Sequence, residues 1–178
     1  MKVDGVTVRN NLDKLLNYKG VIYYGVPSET TGKRPQKNLE EGKAQPYNNA
    51  QILQIMEYGS PINNIPKREL LAPVVEKYSE QISKALSKVI EAIIDGDEEK
   101  ADMLMQKLAL RVENWCKKFF IDPDNNWAPN APITINGGWM RNKVSGKPVY
   151  IKGKGSDRPL IDTGSLRQSI KAFFSKEQ

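Results

Sequence analysis

Asp162-Thr163-Gly164 is the stretch whose residue types could most directly do chemistry, because aspartic proteases present their catalytic carboxylate on such a triplet. That chemistry needs two carboxylates close enough to share a proton, so a chain with one triplet would have to dimerise. A retropepsin-like enzyme also places a long β-rich segment after the triplet to build its substrate walls, and only 14 residues follow Gly164. The protease is therefore a minor alternative to a structural reading. In the structural reading Pro159 fixes φ and biases Arg158 towards extended backbone, so Arg158 closes a loop. Leu160 and Ile161 turn inward, Asp162 or Thr163 caps a short helix, and Gly164 permits a tight turn. Leu166 and Ile170 lie four apart, on one face of that helix.

The remaining candidates for chemistry are weaker. Cys116 is the single cysteine and the chain has no histidine. A thiol nucleophile would lack its usual base, no intrachain disulfide can form, and a zinc site would lack ligands. With Trp115, Phe119 and Phe120 beside it, Cys116 reads as a small buried hydrophobe. Gly146-Lys147 is followed by Pro148 instead of Ser or Thr, so it is no Walker A loop. Gly153-Lys154-Gly155-Ser156 has neither the preceding glycine spacing nor a following helix. These residues give no reason to expect an enzyme, a cofactor or a metal.

Charge is more informative. The net charge is +6, with 27 basic and 21 acidic residues. Arg141, Lys143, Lys147, Lys152, Lys154 and Arg158 crowd one stretch in which Asp157 is the sole acid, leaving the rest near neutral. Such a patch attracts nucleic acid or an acidic protein face, or is simply a solvated loop. Trp139 and Tyr150 are the only aromatic residues in it, which makes a weak stacking platform for single strands. No apolar run approaches the roughly 20 residues that span a bilayer. Met1 to Val6 lacks the apolar core of a signal peptide, which points to a cytosolic site of synthesis with no membrane partner.

The elements that must position these residues follow from apolar spacing. A length of 178 residues is that of a single domain, 1–178. Val8, Leu12, Leu15 and Leu16 suit a short amphipathic helix ending before Gly20, and Val21 to Val26 is a β-branched and aromatic strand. Residues 27–46 hold almost no aliphatic side chains and are expected to form a long loop. Ala50 to Met56 predicts a helix ending at Gly59. Leu71, Val75, Tyr78, Ile82, Leu86, Val89 and Ile93 predict one continuous helix of about seven turns. Asp95-Gly96-Asp97 then turns into a second helix with Glu98 and Glu99 at its start and Lys117 and Lys118 at its end, matching the macrodipole. So short a turn makes the two helices antiparallel. Trp127 is the residue able to pin the proline-rich loop after Phe120. Ile133 to Ile135 and Lys147 to Lys152 are expected as short strands around a glycine-rich excursion, with 136–158 largely extended loop. Ser169 to Phe174 closes the chain as a strand. The expected class is α+β: a long antiparallel helix hairpin packed on a small, mostly antiparallel β-sheet, with long loops.

The order of these parts resembles the tail-completion, or head–tail neck, proteins of virion morphogenesis in tailed bacteriophages. Three pieces carry the resemblance: Glu57-Tyr58-Gly59-Ser60 with Ile65-Pro66-Lys67-Arg68; the paired helices ending near Trp127-Ala-Pro-Asn-Ala-Pro132; and Lys152 to Ile170, with its Arg-Pro-Leu-Ile-Asp-Thr-Gly-Ser-Leu run. It spans roughly residues 20–174. Glu69-Leu70 stands where such proteins often have Pro-Phe, and 27–46 and 137–150 look like insertions. The resemblance implies a non-enzymatic structural subunit, a tail terminator or head–tail joining protein, in a homo-oligomeric ring that is usually a hexamer. It implies contacts with connector, neck or tail-tube proteins, DNA passing through the lumen without specific recognition, and assembly in the bacterial host cytoplasm. Residues 27–46 and 137–158, with Arg68 and the cations from Arg141 to Arg158, are then expected at contacts ordered by assembly. The competing expectation is a nucleic-acid-binding protein that grips phosphates with 141–158.

Overall fold

The computed structural model describes residues 5–27, 47–141, 145–157, 159 and 164–177, without the side chains of 5–8. The fold is α+β, and the chain divides into two compact units, each assembled from segments far apart in sequence.

The first unit comprises 1–27, 70–118 and 170–178. Helix α1 (Gly5–Asn17) leads into strand β1 (Gly20–Gly25), which pairs antiparallel with the last strand, β4 (Lys171–Lys176), in the register Gly20↔Lys176 to Gly25↔Lys171. The period-2 alternation of a strand sends Ile22 and Phe174 inward, where they pack on a core of Val89, Ala92, Ile93, Ala101 and Met105. That core comes from two helices, α4 (Ser79–Ile94) and α5 (Glu98–Phe119). Their contacts at both ends show that they run antiparallel. Val89 to Ile93 meets Ala101 and Met105 beside the turn, and Tyr78 stacks on Trp115 at the far end, with ring centroids 4.4 Å apart.

The expected seven-turn helix is broken. Helix α3 (Leu71–Lys77) stops at Tyr78, whose ψ of 16° lies outside the helical well, and α4 restarts from it. The side-chain stripe survives the break because one distorted residue barely shifts the apolar face. Leu70 and Val74 are the fully buried residues of the first segment, whereas Leu86 of the expected stripe is 38% exposed. Cys116 is a free cysteine with its side chain fully buried.

Polar groups in this unit are well matched. The Tyr18 hydroxyl donates to Asp102 Oδ1 at 2.9 Å, and Lys176 Nζ reaches Asp102 Oδ2 at 2.9 Å. Burial, then the Asp102 hydrogen bond and charge, push the Tyr18 phenol above its ordinary range. Glu113 is largely buried and accepts from Lys117 Nζ and, at 3.0 Å, from the Ala172 backbone N–H. Burial alone would raise its carboxyl pKa. Those hydrogen bonds, with the charges of Lys117 and Lys171, outweigh it and hold the pKa below the ordinary value.

The second unit comprises 28–69 and 119–169. Helix α2 (Asn49–Tyr58) opens with a capping box in which Asn48 and Gln51 each satisfy the other's backbone N–H. It ends at Gly59, whose φ of +71° favours glycine. A 3-10 turn at Pro61–Asn63 and a two-way backbone bridge between Ser60 and Ile65 return the chain to Arg68. Residues Pro132–Asn136 form helix α6, not the expected strand. Proline at its first position, where an N–H has no intrahelical use, favours a helix start over the β-branched preference of Ile133 and Ile135. Strands β2 (Gly138–Arg141) and β3 (Pro148–Ile151) form a second antiparallel pair, and α7 (Ser165–Ser169) closes the unit. The partner of 148–151 is therefore 138–141, and much of the stretch expected as loop is a hairpin. Among the described residues the strands form two separate two-stranded sheets.

Candidate functional site

The β2–β3 hairpin is the feature of the second unit that packing does not explain. Its register sets Trp139 opposite Tyr150 and Arg141 opposite Pro148 on one face, and Met140 opposite Val149 on the other. Trp139 is 72% and Tyr150 58% exposed, and their rings meet edge-on with centroids 5.5 Å apart. Met140 and Val149 are exposed as well, so solvent reaches apolar side chains on both faces. A lone two-stranded ribbon is marginally stable in water, and contiguous exposed apolar surface marks an interaction site. Arg141, Lys147 and Lys152 are exposed beside it, adding positive charge to an aromatic surface.

The base of the ribbon is fixed, in contrast to its faces. Gly137 and Gly153 lie back to back: a Cβ on Gly153 would come within 2.4 Å of the Gly137 nitrogen. The Lys154 and Gly155 N–H groups donate to Thr134 and Ile135 carbonyls at 3.0 Å each. Those carbonyls belong to the last turn of α6 and have no acceptor role inside the helix, so the ribbon caps the helix that carries it. Asn130 Nδ2 adds a bond to the Asp157 carbonyl at 3.0 Å.

Arg68, expected as a contact with a neighbouring molecule, is instead inside, only 6% exposed. Its Nε donates to the Ala128 carbonyl at 2.8 Å and its Nη2 to the Pro129 carbonyl at 2.9 Å, fastening the Trp127–Pro132 loop. Burial lowers its pKa, although a guanidinium stays charged. Trp127 sits edge-on to Phe119 and Phe120, and its Nε1 donates to the Glu69 carbonyl at 2.7 Å. Leu166 is buried, and Gly164, with φ +75°, accepts from Gln168 N at 2.9 Å as the backbone start of α7. Pro159 is half-buried in a turn, and Lys154 is half-buried. Lys143, Arg158, Leu160, Asp162 and Thr163, and the 28–46 part of the first expected loop, lie outside the described residues.

Sequence reasoning missed Met140 and Val149 as surface groups, and Gly137 and Gly153 as the fixed base. The available signal was the alternation Trp139-Met140-Arg141 against Val149-Tyr150-Ile151 across the Ser145-Gly146 turn. Also missed was Asn49, a buried amide donating to Ser165 Oγ at 3.1 Å and so tying α2 to α7. Among the described residues no group of three or more Cys, Asp or Glu side chains could hold a metal ion. No helix among them is long and apolar enough to cross a membrane.

No protein-family description matches the chain, and no solved structure matches it. Among curated proteins it is similar to the uncharacterized protein MJ0331 of Methanocaldococcus jannaschii, with 30% identity over 74 residues. That stretch is 42% of this chain and 55% of the archaeal protein, so the chain spans about half the length of the curated relative it matches.

Proposed function

We propose that the chain is a structural, non-enzymatic subunit of a tailed-phage virion. It would be a head–tail neck or tail-terminating protein that assembles as a ring, with six copies as the expected number. The observation that carries this reading is the rigidly based ribbon with Trp139, Met140, Val149 and Tyr150 open to solvent. A ribbon that gains little from its own chain gains most from a neighbour's surface, as a clasp between subunits would. Cyclic contacts of this head-to-tail kind close into rings when the rotation permits. The direct test is light scattering of purified protein together with electron microscopy of particles carrying the labelled subunit. A ring, and label at the capsid–tail junction, are the expected results; label absent from particles would end the virion assignment.

A second reading is favoured by one specific observation: the Trp139–Tyr150 pair stands beside Arg141, Lys147 and Lys152. Stacking plus phosphate neutralisation would suit a nucleic-acid strand. Binding titrated against salt decides between them, because phosphate contacts make affinity fall steeply with ionic strength. Tight, salt-steep DNA binding by the isolated subunit favours this second reading.

A further inference from the structure

The first unit carries a second exposed surface, on helices α4 and α5. Residues of helices α4 and α5 line a groove of about 240 Å³. Its floor is apolar, from Ala85, Leu104 and Leu108, and four cations rim it. Lys84 and Lys88 line one wall, Lys107 and Arg111 the other, each pair four residues apart on its helix and so on one face. Lys84 is matched by Glu80 of its own helix. Among the described residues Lys88, Lys107 and Arg111 have no acidic partner.

The complementary charge lies on the same chain. The turn between α4 and α5 exposes Asp95, Asp97, Glu98 and Glu99, next to the part-exposed Ile94. Lys176 engages Glu98 at 3.2 Å, and Lys14 Nζ sits on the Ile94 carbonyl, which leaves Asp95, Asp97 and Glu99 facing outward. Asp97 caps α5 through the Lys100 N–H with one oxygen, and its other oxygen remains for a further contact. At about 1.5 Å rise per residue the tip is roughly 10 Å beyond Lys88 along the helix axis, so a copy cannot bend its tip into its own groove.

We infer that the occupant of the groove is the acidic α4–α5 tip of a second copy, with Ile94 on the Leu104–Leu108 floor and Asp95 and Glu99 between the cations. Tip and groove are different patches, so a head-to-tail contact between them leaves a free tip and a free groove at each step until the rotation closes a ring. This deepens the ring reading and depends on it only in requiring self-association.

The experiment uses charge reversal in the full chain, with mass in solution and circular dichroism as readouts. Lys107→Glu/Arg111→Glu and, separately, Asp95→Lys/Glu99→Lys are surface changes that leave the helical signal intact. Each alone weakens self-association by about 100-fold, the size expected when like charges are set against each other. A chain carrying all four reversals assembles with itself again, and an equal mixture of the two reversed chains co-assembles. If the wild-type chain assembles and both reversed chains assemble equally well, the tip-in-groove contact is wrong while the ring stands. If the wild type stays monomeric at every concentration, both fall. Assembly lost in the groove variant but not regained with four reversals assigns the groove to another acidic partner, which also overturns the inference.

Discussion

The sheet of the first unit and the ribbon of the second are both two-stranded and antiparallel, yet they differ in what covers them. The β1–β4 pair lays one face on α4 and α5, burying Ile22 and Phe174 on a closed aliphatic core. The β2–β3 pair has exposed apolar side chains on both faces, and backbone hydrogen bonds from Lys154 and Gly155 to the last turn of α6 fix its base. The comparison separates two uses of the same element. A covered pair contributes to stability through its side chains; an uncovered pair contributes surface.

The largest effect that could break this comparison is at the covered end. Ile170, fully buried ahead of β4, should cost about 2–5 kcal/mol when changed to alanine, read as a lower urea midpoint. Next is Arg68→Ala, which removes the donors serving the Ala128 and Pro129 carbonyls and should cost about 2–4 kcal/mol. Arg68→Lys should recover only part of it, since an ammonium lacks the planar fork that spans two carbonyls. A full rescue by lysine would show that charge alone fixes that loop.

Smaller still is Glu113. Its folded pKa lies below the unfolded value near 4.5, so its contribution is present above that pH and is lost as pH falls through the folded value. Glu113→Gln should cost about 1–3 kcal/mol at neutral pH and flatten the acid limb of the stability profile. An unchanged acid limb would mean that other carboxylates set it. The smallest effect should be Trp139→Ala, which removes an exposed ring and should move stability by no more than about 0.5 kcal/mol. The same change should weaken assembly at least about tenfold, the scale of a large aromatic contact in an interface. A Trp139 variant that unfolds the protein, or one that assembles normally, would erase the distinction between the two strand pairs.

Most of the first unit was legible in sequence, because its helices and strands each carry a long apolar pattern. The spacings of α1, α5 and β1, the glycine stop of α2 and the closing strand all mark real elements. What was not legible depended on one local choice or on distant partners. Tyr78 interrupts a helix whose stripe continues through it, so periodicity cannot register the break. Ile133-Thr134-Ile135 has strand propensity, but Pro132 starts a helix there. Arg68 looks like any surface cation between Lys67 and Glu69, and only the folded chain brings carbonyls from the Trp127 loop to it. Of the candidate site, the cations and aromatics were visible as composition, whereas their grouping onto ribbon faces required the β2–β3 register.

The pairing of β1 with β4 joins stretches near opposite ends of the sequence, from Gly20↔Lys176 to Gly25↔Lys171. During translation β1, carrying Val21, Ile22, Tyr23 and Tyr24, emerges well before β4 and stays without that partner until Lys171–Lys176 has been made. An open strand edge of that composition is a template for intermolecular pairing. Chains stopped before Lys171 should therefore appear in inclusion bodies, while chains that include β4 remain dispersed, so the timing of synthesis would govern recoverable yield.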